Sequence, residues 1–318
     1  MRVLIIKISS MGDIIHTLPA VTDASNAIPN ILFDWVVEET FSEILNWHPA
    51  IHHIIPINLR FWIKNWYKFS SWKKYHKCIT QLKKKEYDVI IDAQGLLKTS
   101  LLITCITRGK KHGMDYASAR EPISSWMYHN QYYINTNQHA VERIRQLFSL
   151  SLQYPAPSYI GKYNINHLFP LQKSNPPYLI FFHSTTKSKK HWPEFNWNII
   201  AQYAINAGYC IKLPFWSKNE EFRANRLATL CSKKIITLPK MTLKEIALQI
   251  SGATAVISVD TGLSHLTAAL DCPNITLYGP TNPKLIGTYG HNQVTLQSST
   301  KKMKHLTPIQ VWKAFQKI

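Results

Sequence analysis

Val256-Ile257-Ser258-Val259-Asp260-Thr261-Gly262-Leu263-Ser264-His265-Leu266 is the stretch from which the fold can be read. An apolar, β-branched run ends in Asp-Thr-Gly and an apolar helical pattern begins, so a strand passes directly into a helix. The N–H groups of Thr261 and Gly262 point outward at such a helix start and favour an anion. His265 falls on the first turn, within reach of the same anion. Asp-Thr-Gly also suggests an aspartic protease, but that chemistry needs a second Asp in a second β lobe. The triplet occurs once and a helix pattern follows it, which excludes the protease.

The same alternation extends in both directions. Strands are expected at 178–183, 209–214, 235–238, 255–260 and 274–278, with helices at 193–207, 218–231, 242–251 and 261–270. In the first half, strands are expected at 3–8, 33–37, 53–57 and 87–92, and helices near 14–27, 40–47, 62–85, 96–106 and 138–151. Such alternation implies parallel sheets with right-handed crossovers, and two successive series imply two doubly wound α/β domains. We place them at 1–155 and 178–318. The segment 156–177, rich in proline, is a linker and lead-in. At 318 residues the chain suits two domains of about 150 residues each.

Composition narrows the function classes. Hydrophobic residues are 45% and charged residues 17%, a globular balance. The N-terminus enters an apolar strand at once, without a signal-peptide pattern, and no apolar run is long enough to span a bilayer. The expected location is therefore cytoplasmic. The scattered cysteines Cys78, Cys105, Cys210, Cys231 and Cys272 form no C-x-x-C pair and read as buried free thiols. The pair His52-His53 lacks a neighbouring carboxylate in sequence, so no metal site is expected there. A net charge of +19 favours an anionic partner, or it reflects a general Lys bias.

Three further segments carry chemistry. Lys7-Ile8-Ser9-Ser10-Met11-Gly12-Asp13 follows the first strand, where open α/β sheets place their ligands. There Asp13 either serves as a general base or, like Ser10, caps the following helix. Phe182-His183-Ser184-Thr185-Thr186-Lys187-Ser188-Lys189-Lys190-His191-Trp192-Pro193 follows another strand and either suits a phosphate, although it lacks the Walker A glycines, or is a solvated basic loop. Residues 57–85 hold nine Lys or Arg, no acid and seven aromatics. That composition fits an anionic amphiphile, nucleic acid or a solvated helix face. No helix-turn-helix, RRM or zinc-finger signature supports nucleic acid.

MRVLIIKISSMGDIIHTLPAV, IDAQGLLKTS, AREP, QHAVER, KHWPE, LPKMTL and SVDTGLSHLTAALD together resemble glycosyltransferase family 9, the heptosyltransferases, in order along nearly the whole chain. The resemblance implies a GT-B fold, two Rossmann-like domains facing across a cleft, with a last helix that in such folds often returns to the first domain. It implies inverting, metal-independent transfer of L-glycero-D-manno-heptose from ADP-heptose to a Kdo residue of Kdo-lipid A, with no cofactor, at an anionic inner-membrane surface. By the same resemblance Asp13 is the catalytic base. The donor contacts are Thr185, Thr186, Lys190, Glu220 (or Glu221), Met241, Asp260, Thr261, Gly262 and His265. The acceptor contacts are Ser10, Gly12, Arg60, Lys64, Lys98, Arg120 and His139. The sequence departs from the family at Phe61, Trp62 and Ile63, where relatives tend to be more basic. A second-heptose enzyme with a heptosylated acceptor is the alternative within the family; a basic nucleic-acid-binding protein is the alternative outside it.

Overall fold

A computed structural model of the chain describes residues 1–170, 174–229 and 233–318. The chain divides into two units, Met1–Asn164 and Ile165–Ile318. In the first, β1 (Arg2–Ile6), β2 (Leu32–Glu38), β3 (Ile51–Ile57), β4 (Glu86–Asp92), β5 (Arg108–Met114) and β6 (Asn130–Tyr132) pair in parallel in the order β3-β2-β1-β4-β5-β6. In the second, β7 (Tyr178–Phe182), β8 (Cys210–Leu213), β9 (Ile235–Thr237), β10 (Ala255–Val259), β11 (Asn274–Tyr278) and β12 (Gln293–Gln297) take the order β12-β11-β10-β7-β8-β9, again all parallel. Counted from its own first strand, each sheet has the same doubly wound order. Strand order therefore reverses between β1 and β4, and between β7 and β10, and ligands bind at the carboxyl ends of such switch points.

The central strands read as unbroken apolar runs because helices cover both faces. Every residue of β7 and β10 is buried, and Val3 through Ile6 are fully so. Ser258, buried in β10, donates its hydroxyl proton to Asn274 Oδ1 at 3.2 Å, so the one polar residue of that strand is satisfied.

Several elements differ from the sequence reading. The helix expected at 14–27 is two, Met11–Ile15 and Leu18–Ala27. Thr17 bonds back to the Asp13 carbonyl at 2.9 Å, and Pro19 is tolerated because it lies in the first turn of the second helix. The helix expected at 62–85 is likewise two, Leu59–Lys64 and Phe69–Lys84, and Asn65 takes the Phe61 carbonyl with its own side chain at 3.0 Å. Strands β5, β6 and β12 had no sequence signal. β5 carries Gly109 where a Cβ would stand 2.2 Å from the Tyr87 carbonyl oxygen, so glycine is what lets this strand approach β4.

The last helix, Pro308–Phe315, packs within the second unit against the helix Glu194–Asn206. Trp312 meets Tyr203 with ring centroids 5.9 Å apart, and Val311 and Phe315 join that unit's core. Cys78 and Cys272 are buried as expected, Cys105 is exposed and Cys210 half-buried, while Cys231 lies outside the described residues. Folding supplies the carboxylate that His52 lacks in sequence. Buried Asp34 lies 3.5 Å from His52 Nδ1 and also binds Arg2, Lys85 and the Tyr87 hydroxyl. No described helix is long and apolar enough to cross a membrane.

Candidate active site

At the first switch point β1 delivers its polar residues in sequence. Lys7 is buried and donates from Nζ to the Ala93 carbonyl at 2.7 Å, tying the end of β1 to the loop after β4. Gln94 completes the tie, its Oε1 accepting from the Ile8 and Ser9 amides at 3.0 and 3.3 Å. The next turn begins the helix Met11–Ile15, and Asp13 reaches back over it. Its Oδ2 accepts from the Ser10 amide at 2.8 Å and the Ser10 hydroxyl at 3.0 Å, as the third residue of a capping box does.

Burial opposes the ionised form of Asp13, but the Lys7 charge, the two Ser10 hydrogen bonds and Arg120 outweigh it. The carboxyl is held below the usual carboxylate value. Burial also pulls the Lys7 ammonium below the ordinary lysine value, against Asp13 and Asp92, which favour its charge. Arg143, on the first turn of the helix Ala140–Leu152, faces the same carboxylate electrostatically. His139 caps that helix, its Nδ1 accepting from the Val141 amide at 3.2 Å, and its ring meets His16 edge-on at 5.3 Å. The loop after β4 is fixed by Asp92, which accepts from the Gln94 and Gly95 amides at 3.0 Å each.

At the second switch point Lys190, after β7, meets Asp260, after β10, with Nζ 2.5 Å from Oδ2. The Thr281 hydroxyl donates to the same oxygen. Asp260 leads into Thr261 and the helix Gly262–Ala269. No side chain caps that helix and no acid stands in its first turn, so its start keeps the field that favours an anion. His265 is buried on its first turn. The loop carrying Lys190 is braced by His191, whose Nε2 lies 2.7 Å from the Thr185 carbonyl and whose Nδ1 lies 3.1 Å from Arg223. Arg223 also donates to the Trp192 carbonyl at 2.6 Å. His183, buried at the end of β7, bonds through Nδ1 to the Ser184 hydroxyl at 2.8 Å. Burial, then Arg223 and His191, push its pKa down to about 3, so the ring is neutral.

The structure thus brings together Ser10, Gly12, Asp13, Arg120 and His139 in the first unit, and Thr185, Lys190, Asp260, Thr261 and Gly262 in the second. Lys98 is exposed beside the loop after β4, on Leu97–Thr99. Arg60 and Lys64 are exposed on the helix after β3, where the Arg60 amide is held by Glu38 at 3.1 Å. Thr186 is exposed, and Met241 is half-buried just before the Thr242 cap. Glu220 is occupied with its own helix start, accepting from the Trp216 and Ser217 amides at 2.7 and 3.2 Å.

Sequence reasoning missed Lys7, Gln94, Arg143, His191, Arg223 and Thr281. Lys7 carried a readable signal, a lysine at the buried end of an apolar strand, which demands a carboxylate or carbonyl partner. His191 stood in the quoted phosphate loop without an assigned role, and Gln94, Arg143, Arg223 and Thr281 are brought in by separate elements.

Twin doubly wound sheets, each gathering its polar side chains at the switch point, place the chain among the GT-B glycosyltransferases. The sequence model of glycosyltransferase family 9 (heptosyltransferase) matches residues 75–313, and the chain belongs to that family. It is 48% identical over 314 residues to lipopolysaccharide heptosyltransferase 1 of Salmonella typhimurium strain LT2, covering 98% of this chain and 99% of the relative. Two solved structures are similar throughout. The Escherichia coli heptosyltransferase WaaC with ADP has a TM-score of 0.95 and 47% identity, over 100% of this chain and 99% of that one. The same enzyme with ADP-2-deoxy-2-fluoro heptose has a TM-score of 0.93 and 46% identity, with the same coverage.

Proposed function

We propose that the chain transfers L-glycero-D-manno-heptose from ADP-heptose to a Kdo residue of Kdo-lipid A, with inversion and without a metal ion. The first unit binds the acceptor and the second the ADP-sugar. The observation that carries the reading is the Asp13 carboxylate, held ionised and half-buried on a loop fixed from three sides. As the acceptor oxygen bonds to the anomeric carbon, its proton passes to Asp13, and the bond from that carbon to the β-phosphate oxygen breaks. The electron pair leaves with ADP. Attack opposite the leaving group inverts the centre.

The departing diphosphate needs positive charge placed in advance. The Lys190 ammonium has three protons; with one given to Asp260, the others serve phosphate oxygens. The amides at Thr261 and Gly262, the Thr185 and Thr186 hydroxyls and His265 complete the clamp, which takes the place of a metal. Asp260 orients the sugar, Glu220 the ribose and Met241 the adenine. On the acceptor side Ser10, Gly12, Arg60, Lys64, Lys98, Arg120 and His139 meet the carboxylates and phosphates of an amphiphile lying at the anionic cytoplasmic face of the inner membrane.

The deciding experiment is heptose transfer from ADP-heptose to Kdo-lipid A in the presence of EDTA, with wild-type protein and Asp13→Ala. Product from the wild type alone supports donor, acceptor, base and metal independence together. Product that requires an added divalent ion, or equal turnover by both proteins, contradicts the reading.

A further inference from the structure

The helix pair Leu59–Lys64 and Phe69–Lys84 has two unlike sides. Trp62 and Tyr75 turn inward with ring centroids 5.9 Å apart, pack against the core residues Leu59, Cys78, Ile79 and Leu82, and are pinned by the Tyr75 hydroxyl on the Leu102 carbonyl at 3.1 Å. The turn between the helices carries the opposite set. Trp66 is 68% exposed and Phe69 83% exposed, with Tyr67 exposed between them. The turn is held by the Lys68 amide on the Asn65 carbonyl at 3.0 Å and by the Trp72 indole, which donates to the Trp66 carbonyl at 2.6 Å, so none of the three exposed side chains supplies these bonds. Exposed Lys64, Lys68, Lys73 and Lys74 lie close to them along the chain, and residues 57–85 contain no acid.

We infer that this turn is a membrane anchor: Trp66, Tyr67 and Phe69 enter the headgroup layer of an anionic bilayer, and the surrounding lysines hold its charged surface. Exposed aromatics clustered at a tip suit the interface, where the ring is apolar and the indole or phenol edge still meets water. Basic residues beside them draw the tip to anionic lipid, with lesser attraction to neutral lipid. The placement has a purpose. The pair follows the carboxyl end of β3, and in a parallel sheet that is the edge on which β1 presents Asp13, so a docked tip sets the base near the plane where an amphiphilic acceptor lies. The inference rests on the reading of the acceptor as membrane-borne.

Its test uses vesicles that contain no acceptor. Wild-type protein and the triple variant Trp66→Ser, Tyr67→Ser, Phe69→Ser are sedimented with phosphatidylcholine vesicles, with and without phosphatidylglycerol. Transfer to a deacylated, water-soluble Kdo acceptor is measured alongside. The expected result is at least tenfold stronger binding of wild type to the anionic vesicles than to the neutral ones, at least a tenfold loss in the variant, and unchanged transfer in solution. Wild type that ignores anionic vesicles, or a variant that binds them equally, overturns the proposal. So does an oligonucleotide that displaces wild type from the vesicles and binds the variant less well, or wild type that self-associates where the variant does not. Absence of soluble transfer from wild type counts against the proposed reaction, and the vesicle result still judges the anchor by itself.

Discussion

Lys190 and Asp260 close the second switch point with an ion pair, one residue following β7 and the other β10, and Thr281 shares the carboxylate. Because this pair ties the loop after β7 to the end of β10, and in the proposed reaction also clamps the diphosphate, the two residues should act as a unit. Lys190→Ala is expected to lower kcat/KM for ADP-heptose by about 10²–10³-fold, the usual cost of removing one preorganised donor. Adding Asp260→Ala should cost much less than the product of the single effects. Fully additive losses in steady-state kinetics would separate the two residues.

Asp13→Asn should reduce kcat by about 10²–10⁴-fold, the range of general-base catalysis, while ADP affinity measured by calorimetry stays within twofold. A variant that loses ADP binding equally would place the defect in the donor site.

The pH dependence of the reaction should carry the mark of Lys7. Asp13 sits below the ordinary carboxylate value of 3.8, with Lys7 the largest influence on the side of ionisation. The acid limb of kcat/KM assigned to Asp13 should therefore lie below that value and move upward in Lys7→Met. An acid limb that does not move would remove Lys7 from the site's electrostatics.

His183 links stability to pH. Its folded pKa, lowered to about 3, lies below the unfolded value of 6.5, so at low pH the unfolded chain takes up a proton that the native ring refuses. Its contribution is fully present above pH 6.5 and is lost as pH falls toward 3, at up to about 1.4 kcal/mol per pH unit. Urea midpoints of His183→Gln against wild type should show a flatter dependence between pH 6.5 and 4. Parallel curves would refute it.

Gly109→Ala tests the close approach of β5 to β4. A Cβ at 2.2 Å from a backbone oxygen, at φ +144°, forces the strands apart. The expected loss is about 2 kcal/mol or more in unfolding free energy, with the larger effect on β5 and β6 in hydrogen exchange. An unchanged melting curve would show that the ladder yields freely.

What could be read in advance follows burial. β1, β4, β7, β10 and β11 are covered on both faces, so their sequences are dense in β-branched and aromatic residues and announce themselves. β5, Arg-Gly-Lys-Lys-His-Gly-Met, is a strand for a reason foreign to propensity: its glycines admit the Tyr87 carbonyl and the Tyr128 ring. β6 is three residues long and β12 half-exposed, too little buried surface to leave an alternating pattern. Asp13 and Asp260 stood out because each lies where a strand passes into a helix, and their roles were assigned by the family resemblance alone. Lys7, Arg143, Arg223 and Thr281 were not assigned, because their meaning arises only when separate strands and helices converge. Glu220 was named by the family resemblance alone, and its present bonds are those of a helix cap.

Both Ser10 bonds to Asp13 fall on a single oxygen, Oδ2. In the proposed reaction the carboxylate therefore has a division of labour, one oxygen bound to the architecture of the loop and the other left for the acceptor's proton. Protonation in acid removes more than a proton acceptor: it weakens the lock that shapes the loop on which the reaction depends. On that reading acid inactivation is expected to be partly a loosening of the loop, and a ligand that bonds to the second oxygen while leaving Oδ2 to Ser10 would find its binding surface already built.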